Sequence, residues 1–266
     1  MEQLPFKLSF MHKFNLHKLV GLIIDDYDLK SIARIYGVKL KEIKKLEAAF
    51  EANISRLAQS LKEKMSQKPA MSSPCRVLAI GDSITSDRES YVRILNRLWE
   101  DDPNRKMIDC AVSGHTTGDI VNRFYSTAMN QEFEWAVIFL GTNDSRGLDN
   151  GSHIENISFD EYKKNIKYFT ETLLKSGKKV IHITVPYVDN EVQKEYFAET
   201  RWTYDKKRID NNNTFIRELS KKLDTRVADL AAKLKEHKAE VLEEDGVHLN
   251  GAAQSIICEL LLDILP

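Results

Sequence analysis

Ser83, Asn143, Asp245 and His248 are the residues of this chain whose types and settings could together break an acyl bond. Ser83 stands in G-D-S-I-T, directly after the apolar run RVLAI at 76–80. A serine hydroxyl is a weak nucleophile until a base removes its proton. His248, in D-G-V-H-L-N, is the residue type that does this near neutral pH. Asp245, three residues earlier, could accept the Nδ1 proton and leave Nε2 free for the serine. Asn143, in G-T-N-D after the run WAVIFL at 135–140, offers a neutral amide donor to a developing oxyanion. Each cluster alone also has a plain structural reading. Gly, Asn and Asp are turn residues, Ser or Asp caps a helix, and a lone histidine is more often a surface or capping residue. What weakens that reading is the placement of two clusters directly after apolar runs and the third before a terminal helix.

Such residues meet only if the elements behind them end at one edge. Short apolar runs at 76–80, 106–110, 135–140, 179–185 and, more weakly, 225–230 read as strands. Amphipathic stretches around 91–99, 117–129, 160–175 and 205–223, and a last one from about 251 to 262, read as helices. Strands alternating with helices predict a parallel sheet covered on both faces, an α/β domain of three α/β/α layers. Ligands in such sheets sit beyond the carboxyl ends of the strands, where Ser83 and Asn143 fall.

In their order along the chain these clusters resemble the SGNH (GDSL-like) hydrolases. VLAIGDSIT is similar to the family's first block, LGTND to its third and DGVHLN to its last. The resemblance covers roughly 76–266. It implies a flavodoxin-like sheet, a serine esterase or acylhydrolase with an acyl-enzyme on Ser83, a triad completed by Asp245 and His248, and no metal or organic cofactor. The implied oxyanion hole is formed by Ser83, Gly114 and Asn143, with Gly114 in DCAVSGHTTGDIVNRF standing for the second block. There the family often has an Asn-x-Gly pair upstream, whereas this chain has Asp109 and Ala111. Ser83 lacks the G-x-S-x-G elbow of the α/β-hydrolases. His12, His17, His115, His153, His182 and His237 make no H-E-x-x-H or similar metal spacing, and His182, inside an apolar run, reads as core.

The chain divides into a helical segment at 1–64, a Ser/Pro/Lys linker at 65–74 and the hydrolase-like part at 75–266. Residues 1–70 hold 13 Lys and Arg against 8 Asp and Glu, while the chain as a whole has a net charge of −1. LKSIARIYGVKLKEIKKL, at 29–46, resembles a helix-turn-helix, with Gly37 in the turn and Lys39, Lys41, Lys44 and Lys45 offering phosphate contacts. Any short helical hairpin fits the same pattern, so a homo-oligomerisation or partner-docking element is preferred over nucleic-acid binding. The alternative to an esterase is a DNA- or partner-binding regulator with the hydrolase-like part as ligand sensor. Lys7, Lys13 and Lys18 interrupt the early apolar stretches, no run is long enough to span a bilayer, and the three cysteines lack C-x-x-C spacing. A cytoplasmic protein with reduced thiols, acting on a small-molecule, carbohydrate or lipid ester, is expected. Loops at 145–158 and 188–202 would set specificity, the latter region carrying Tyr187, Tyr196, Phe197, Trp202 and Tyr204 as a candidate aromatic wall.

Overall fold

A computed structural model describes residues 7–20, 25–65, 75–148, 154–235 and 241–266. His153, His237 and the linker beyond Met65 lie outside the described residues. The chain opens with helices α1 (Leu8–Lys13), α2 (Leu29–Ile35) and α3 (Leu40–Met65), with a 3-10 turn at Leu16–Val20 after α1. Then come β1 (Cys75–Gly81), α4 (Ser83–Ser86), α5 (Tyr91–Leu98), β2 (Arg105–Asp109), α6 (Thr117–Arg123) and β3 (Trp135–Phe139). Strands β4 (Arg146–Leu148) and β5 (Ile154–Glu155) lead into α7 (Phe159–Lys175), β6 (Lys179–Ile183), α8 (Asn190–Tyr196), β7 (Trp202–Tyr204) and α9 (Lys206–Leu223). The chain closes with β8 (Arg226–Ala228), α10 (Leu230–Leu234) and α11 (Gly251–Leu262).

The central sheet has the order β2-β1-β3-β6-β8 and every pairing in it is parallel. This is the flavodoxin-like order, and its topological switch lies between β1 and β3, whose onward connections leave in opposite directions. Gly81 is in register with Phe139, so the segments bearing Ser83 and Asn143 emerge side by side at that switch. Strict alternation along the strands feeds two cores. Val77, Ala79, Val137 and Phe139 pack with α5 and α11, while Leu78, Ile80, Ala136 and Ile138 pack with α6, α7 and α9. These are the three α/β/α layers of the expected domain.

Two local outcomes differ from the sequence pattern. The expected strand at 225–230 stops at Ala228, because the Asp229 carboxylate accepts from Ala232 N and caps α10. The stretch 145–158 is not wholly loop: β4 pairs with β5 and β7 in a small antiparallel sheet.

The helices in front are packed onto this body. In α3, Ile54, Leu57, Ala58 and Leu61 recur at helical spacing and join the core shared with α5 and α11. Nearer its start, Ile43 packs with Ile32, Ala33, Tyr36 and Met11. Gly37, at φ +67°, makes the turn between α2 and α3 that a side chain would strain. The buried Arg88, just after α4, donates from Nη1 to both carboxylate oxygens of Glu47 in α3, at 2.9 and 2.8 Å. Lys39, Lys41, Lys44 and Lys45 are exposed. Among the described residues, no helix is long and apolar enough to cross a membrane.

Candidate active site

The site begins where β1 ends. Gly81 is needed there because a Cβ would fall 2.1 Å from Thr85 Oγ1. Asp82 then accepts from Ile84 N at 3.0 Å and caps the short α4, leaving Ser83 at the mouth of the sheet. At the far end of the sequence, Asp245 Oδ1 accepts from Val247 N at 2.8 Å and His248 N at 2.9 Å, a tight turn that fixes the imidazole. His248 Nδ1 lies 2.6 Å from Asp245 Oδ2, and its Nε2 lies 2.8 Å from Ser83 Oγ. All three side chains are buried.

Electrostatics fit this chain of contacts. Burial opposes ionisation of Asp245, but the His248 charge and the hydrogen bonds from its ring and backbone outweigh it and hold the carboxyl below its usual range. Burial likewise opposes protonation of His248, yet the Asp245 charge and hydrogen bond, with Asp87 and Asp82 farther off, raise it. A carboxylate acceptor on Nδ1 directs the proton to that nitrogen and leaves Nε2 as acceptor for the serine hydroxyl.

Asn143 and Gly114 come to the same place from different strands. Asn143 opens the turn after β3, and its Nδ2 donates to His115 O at 3.1 Å and, more loosely, to Asp82 Oδ2 at 3.4 Å. Burial pushes the Asp82 carboxyl up to about 7, against the pull of Ile84 N and the His248 charge. Gly114 sits at φ +77°, and a Cβ there would meet no atom within 4 Å, so backbone conformation and not crowding calls for glycine. The loops after β2 and β3 are locked together by Asp144, which accepts from Thr117 N at 3.0 Å and Thr117 Oγ1 at 2.5 Å. The structure thus brings Ser83, His248, Gly114 and Asn143 together around one cavity, with Asp245 behind His248. Among the described residues, no group of three or more His, Cys, Asp and Glu could hold a metal ion. His182 is buried in β6, 3.2 Å from Thr170 Oγ1, and burial lowers it to about 4. His115 contributes its carbonyl to the site through Asn143.

The cavity in front of Ser83 has a volume of about 110 Å³. Phe197, Trp202 and Tyr204 line it, as does Arg146, whose guanidinium stacks on Trp202 at 4.3 Å. Of the other aromatics in the candidate wall, Tyr196 stands 6.2 Å from Phe10, and Tyr187 packs against the main core. The remaining apolar lining is Val247 and, from the front of the chain, Phe10, Phe14, Leu16 and Leu19. The Phe14 ring stacks on His248, with centroids 3.9 Å apart and planes 26° from parallel, and Phe10 meets the same ring edge-on at 5.7 Å. The sequence reading missed the four front residues and Arg146. The available signal was Phe10 and Phe14, four residues apart in a helical stretch and therefore on one face.

The altered second block finds its partner in the same segment. Asp109 Oδ1 accepts from Ala111 N at 2.8 Å, and its Oδ2 accepts from Lys18 Nζ at 3.0 Å. Ser113 Oγ, one residue before Gly114, donates to Phe14 O.

Comparison with known proteins gives this geometry a setting. A family model described as the GDSL-like lipase/acylhydrolase family matches residues 79–256, more than half of the chain. The uncharacterized lipoprotein YqeF of Bacillus subtilis (strain 168) is 26% identical over 172 residues, which is 58% of this chain and 69% of that protein. Among solved structures, the lipase/acylhydrolase from Enterococcus faecalis is 23% identical with a TM-score of 0.59, covering 71% of this chain and 94% of its own. Axe2, an acetylxylan esterase from Geobacillus stearothermophilus, is 19% identical with a TM-score of 0.57, covering 73% and 95%. At these identities the two structures establish likeness of fold.

Proposed function

The chain belongs to the GDSL-like lipase/acylhydrolase family, a family of hydrolases of the esterase class, and from that premise we propose that it hydrolyses a short-chain acyl ester through an acyl-enzyme on Ser83. The observation that carries this reading is the unbroken relay Asp245–His248–Ser83, at 2.6 and 2.8 Å, opening on a small apolar cavity. Ser83 Oγ attacks the ester carbonyl carbon as His248 Nε2 takes the hydroxyl proton. The oxyanion is held by Ser83 N–H, Gly114 N–H and the Asn143 amide, which exchanges its loose 3.4 Å contact with Asp82 for the substrate oxygen. The carbon–oxygen bond to the alcohol then breaks, and His248 returns its proton to the leaving oxygen. Water repeats the sequence on the acyl-serine, releasing the acid and restoring the hydroxyl.

A volume of about 110 Å³ is far below the roughly 300 Å³ at which pockets for drug-sized ligands begin. A cavity of that size suits a short acyl group, acetyl to butyryl. The acetylxylan esterase neighbour is named for an ester of that size. The alternative of a DNA- or partner-binding regulator gains no support from α3, whose apolar face is engaged inside the chain.

The reading is tested with a fluorophosphonate that phosphonylates activated serines. One adduct per chain on the peptide containing Ser83, absent in His248→Ala, is expected. Ester turnover that persists while Ser83 stays unlabelled would overturn it.

A further inference from the structure

We propose that residues 8–20, which precede the segment matched by the family model, form a fixed wall of the acyl pocket and set the length of acyl chain the enzyme accepts. The proposal rests on the esterase reading above and adds the element that determines specificity.

The apolar half of the argument is local. Phe10 and Phe14 lie four residues apart, so both rings leave α1 and its end on one side. Phe14, only 2% exposed, covers His248, while Leu16 and Leu19 in the following 3-10 turn continue the lining of the same cavity. With so little volume, each of these side chains occupies space that a longer acyl chain would need.

The polar half explains why this segment acts as a wall and not as a swinging cover. Between and beyond the apolar residues stand groups fastened to the segments beside Ser83, Gly114 and Asp245. Lys13 pairs with Glu89, with Asp87 at 3.3 Å and with Glu243 at 3.5 Å, and burial is outweighed by these carboxylates, so its ammonium stays charged. Asn15 Nδ2 donates to Ser86 O at 2.6 Å, and Arg88 N donates to Lys13 O at 2.8 Å. Ser113 Oγ donates to Phe14 O, and Lys18 bridges Asp109 and Asp26, both at 3.0 Å. Residues 86–89 follow the nucleophile, 109–113 lead to Gly114, and 243 precedes Asp245. Lifting the segment would strand several largely buried charges without partners, which is strongly unfavourable. One departure of the second block from the family's pattern, Asp109, is where Lys18 is fastened.

The test uses the full chain and compares kcat/KM for p-nitrophenyl acetate, butyrate, hexanoate and octanoate in the native enzyme and in Phe14→Ala, Leu16→Ala and Leu19→Ala. A methylene that a pocket accepts or rejects is worth about 10- to 200-fold in such ratios. The native enzyme should therefore lose activity steeply beyond butyrate. The hexanoate-to-acetate ratio should rise at least about tenfold in one or more variants, chiefly through the longer ester. Leu19 is 53% exposed, so its truncation leaves the fold intact even if Phe14→Ala disturbs it. Ser9→Ala, exposed on α1, should leave the ratio unmoved. An active native enzyme whose chain-length profile is the same in all three variants, or which already takes octanoate as well as acetate, would overturn this proposal and leave the esterase reading standing. A native enzyme that cleaves none of these esters would overturn both.

Discussion

Asp245 governs the pH at which His248 can act. Burial pulls the imidazole toward its neutral form, and Asp245, 2.6 Å away, together with Asp87 and Asp82 farther off, more than reverses this. Its folded pKa is therefore raised above the ordinary value of about 6.5. A base must be unprotonated, so kcat/KM should rise with pH through a midpoint above that value and then level off. In Asp245→Asn the opposing charge is gone and burial dominates. The midpoint should move to lower pH, and the plateau should fall by roughly 10⁴-fold, the scale set by loss of such a carboxylate in other triads. A pH–rate profile of the two proteins measures this, and an unmoved midpoint would contradict it. His248 was legible in the sequence because it sits three residues before the terminal helix α11, and Asp245 because it stands three residues before His248. The contact of the buried Asp82 with Asn143 was not, since the two stand 61 residues apart in the chain.

Helix α3 shows what an element contributes when its partners are distant in sequence. Its 3.6-residue periodicity was plain, but periodicity says only that one face is apolar, not what will cover it. That cover is α5 and α11, which bury Leu61 to 2% exposure. Leu61→Ala should lower unfolding free energy by about 2–5 kcal/mol, read from the midpoint of a urea transition with its slope unchanged. A loss below about 0.5 kcal/mol, the scale of a surface change, would mean that α3 is not part of the cooperative core. The parallel strands and their flanking helices were also legible, because buried strands read as continuous apolar runs. Strands β4, β5 and β7 were not: at two or three residues each they are too short for an alternating pattern to stand out.

Across the whole molecule, the front of the chain closes the site that the rest of it builds. Lys13 and Lys18, which the sequence presented only as charges interrupting an apolar stretch, are the residues that fasten this wall to Glu89 and Asp109. Their role was hidden because a salt bridge over 76 or 91 residues leaves no local pattern. The strand-end motifs mark where the chemistry sits, while the size of the cavity is decided by segments that share no motif with them. All of this turns on Ser83 being the nucleophile. The most direct measurement is steady-state hydrolysis of p-nitrophenyl acetate by Ser83→Ala, with thermal unfolding followed in parallel. The account predicts an unchanged melting profile and turnover reduced to background. Native-like turnover in a folded Ser83→Ala protein would contradict it.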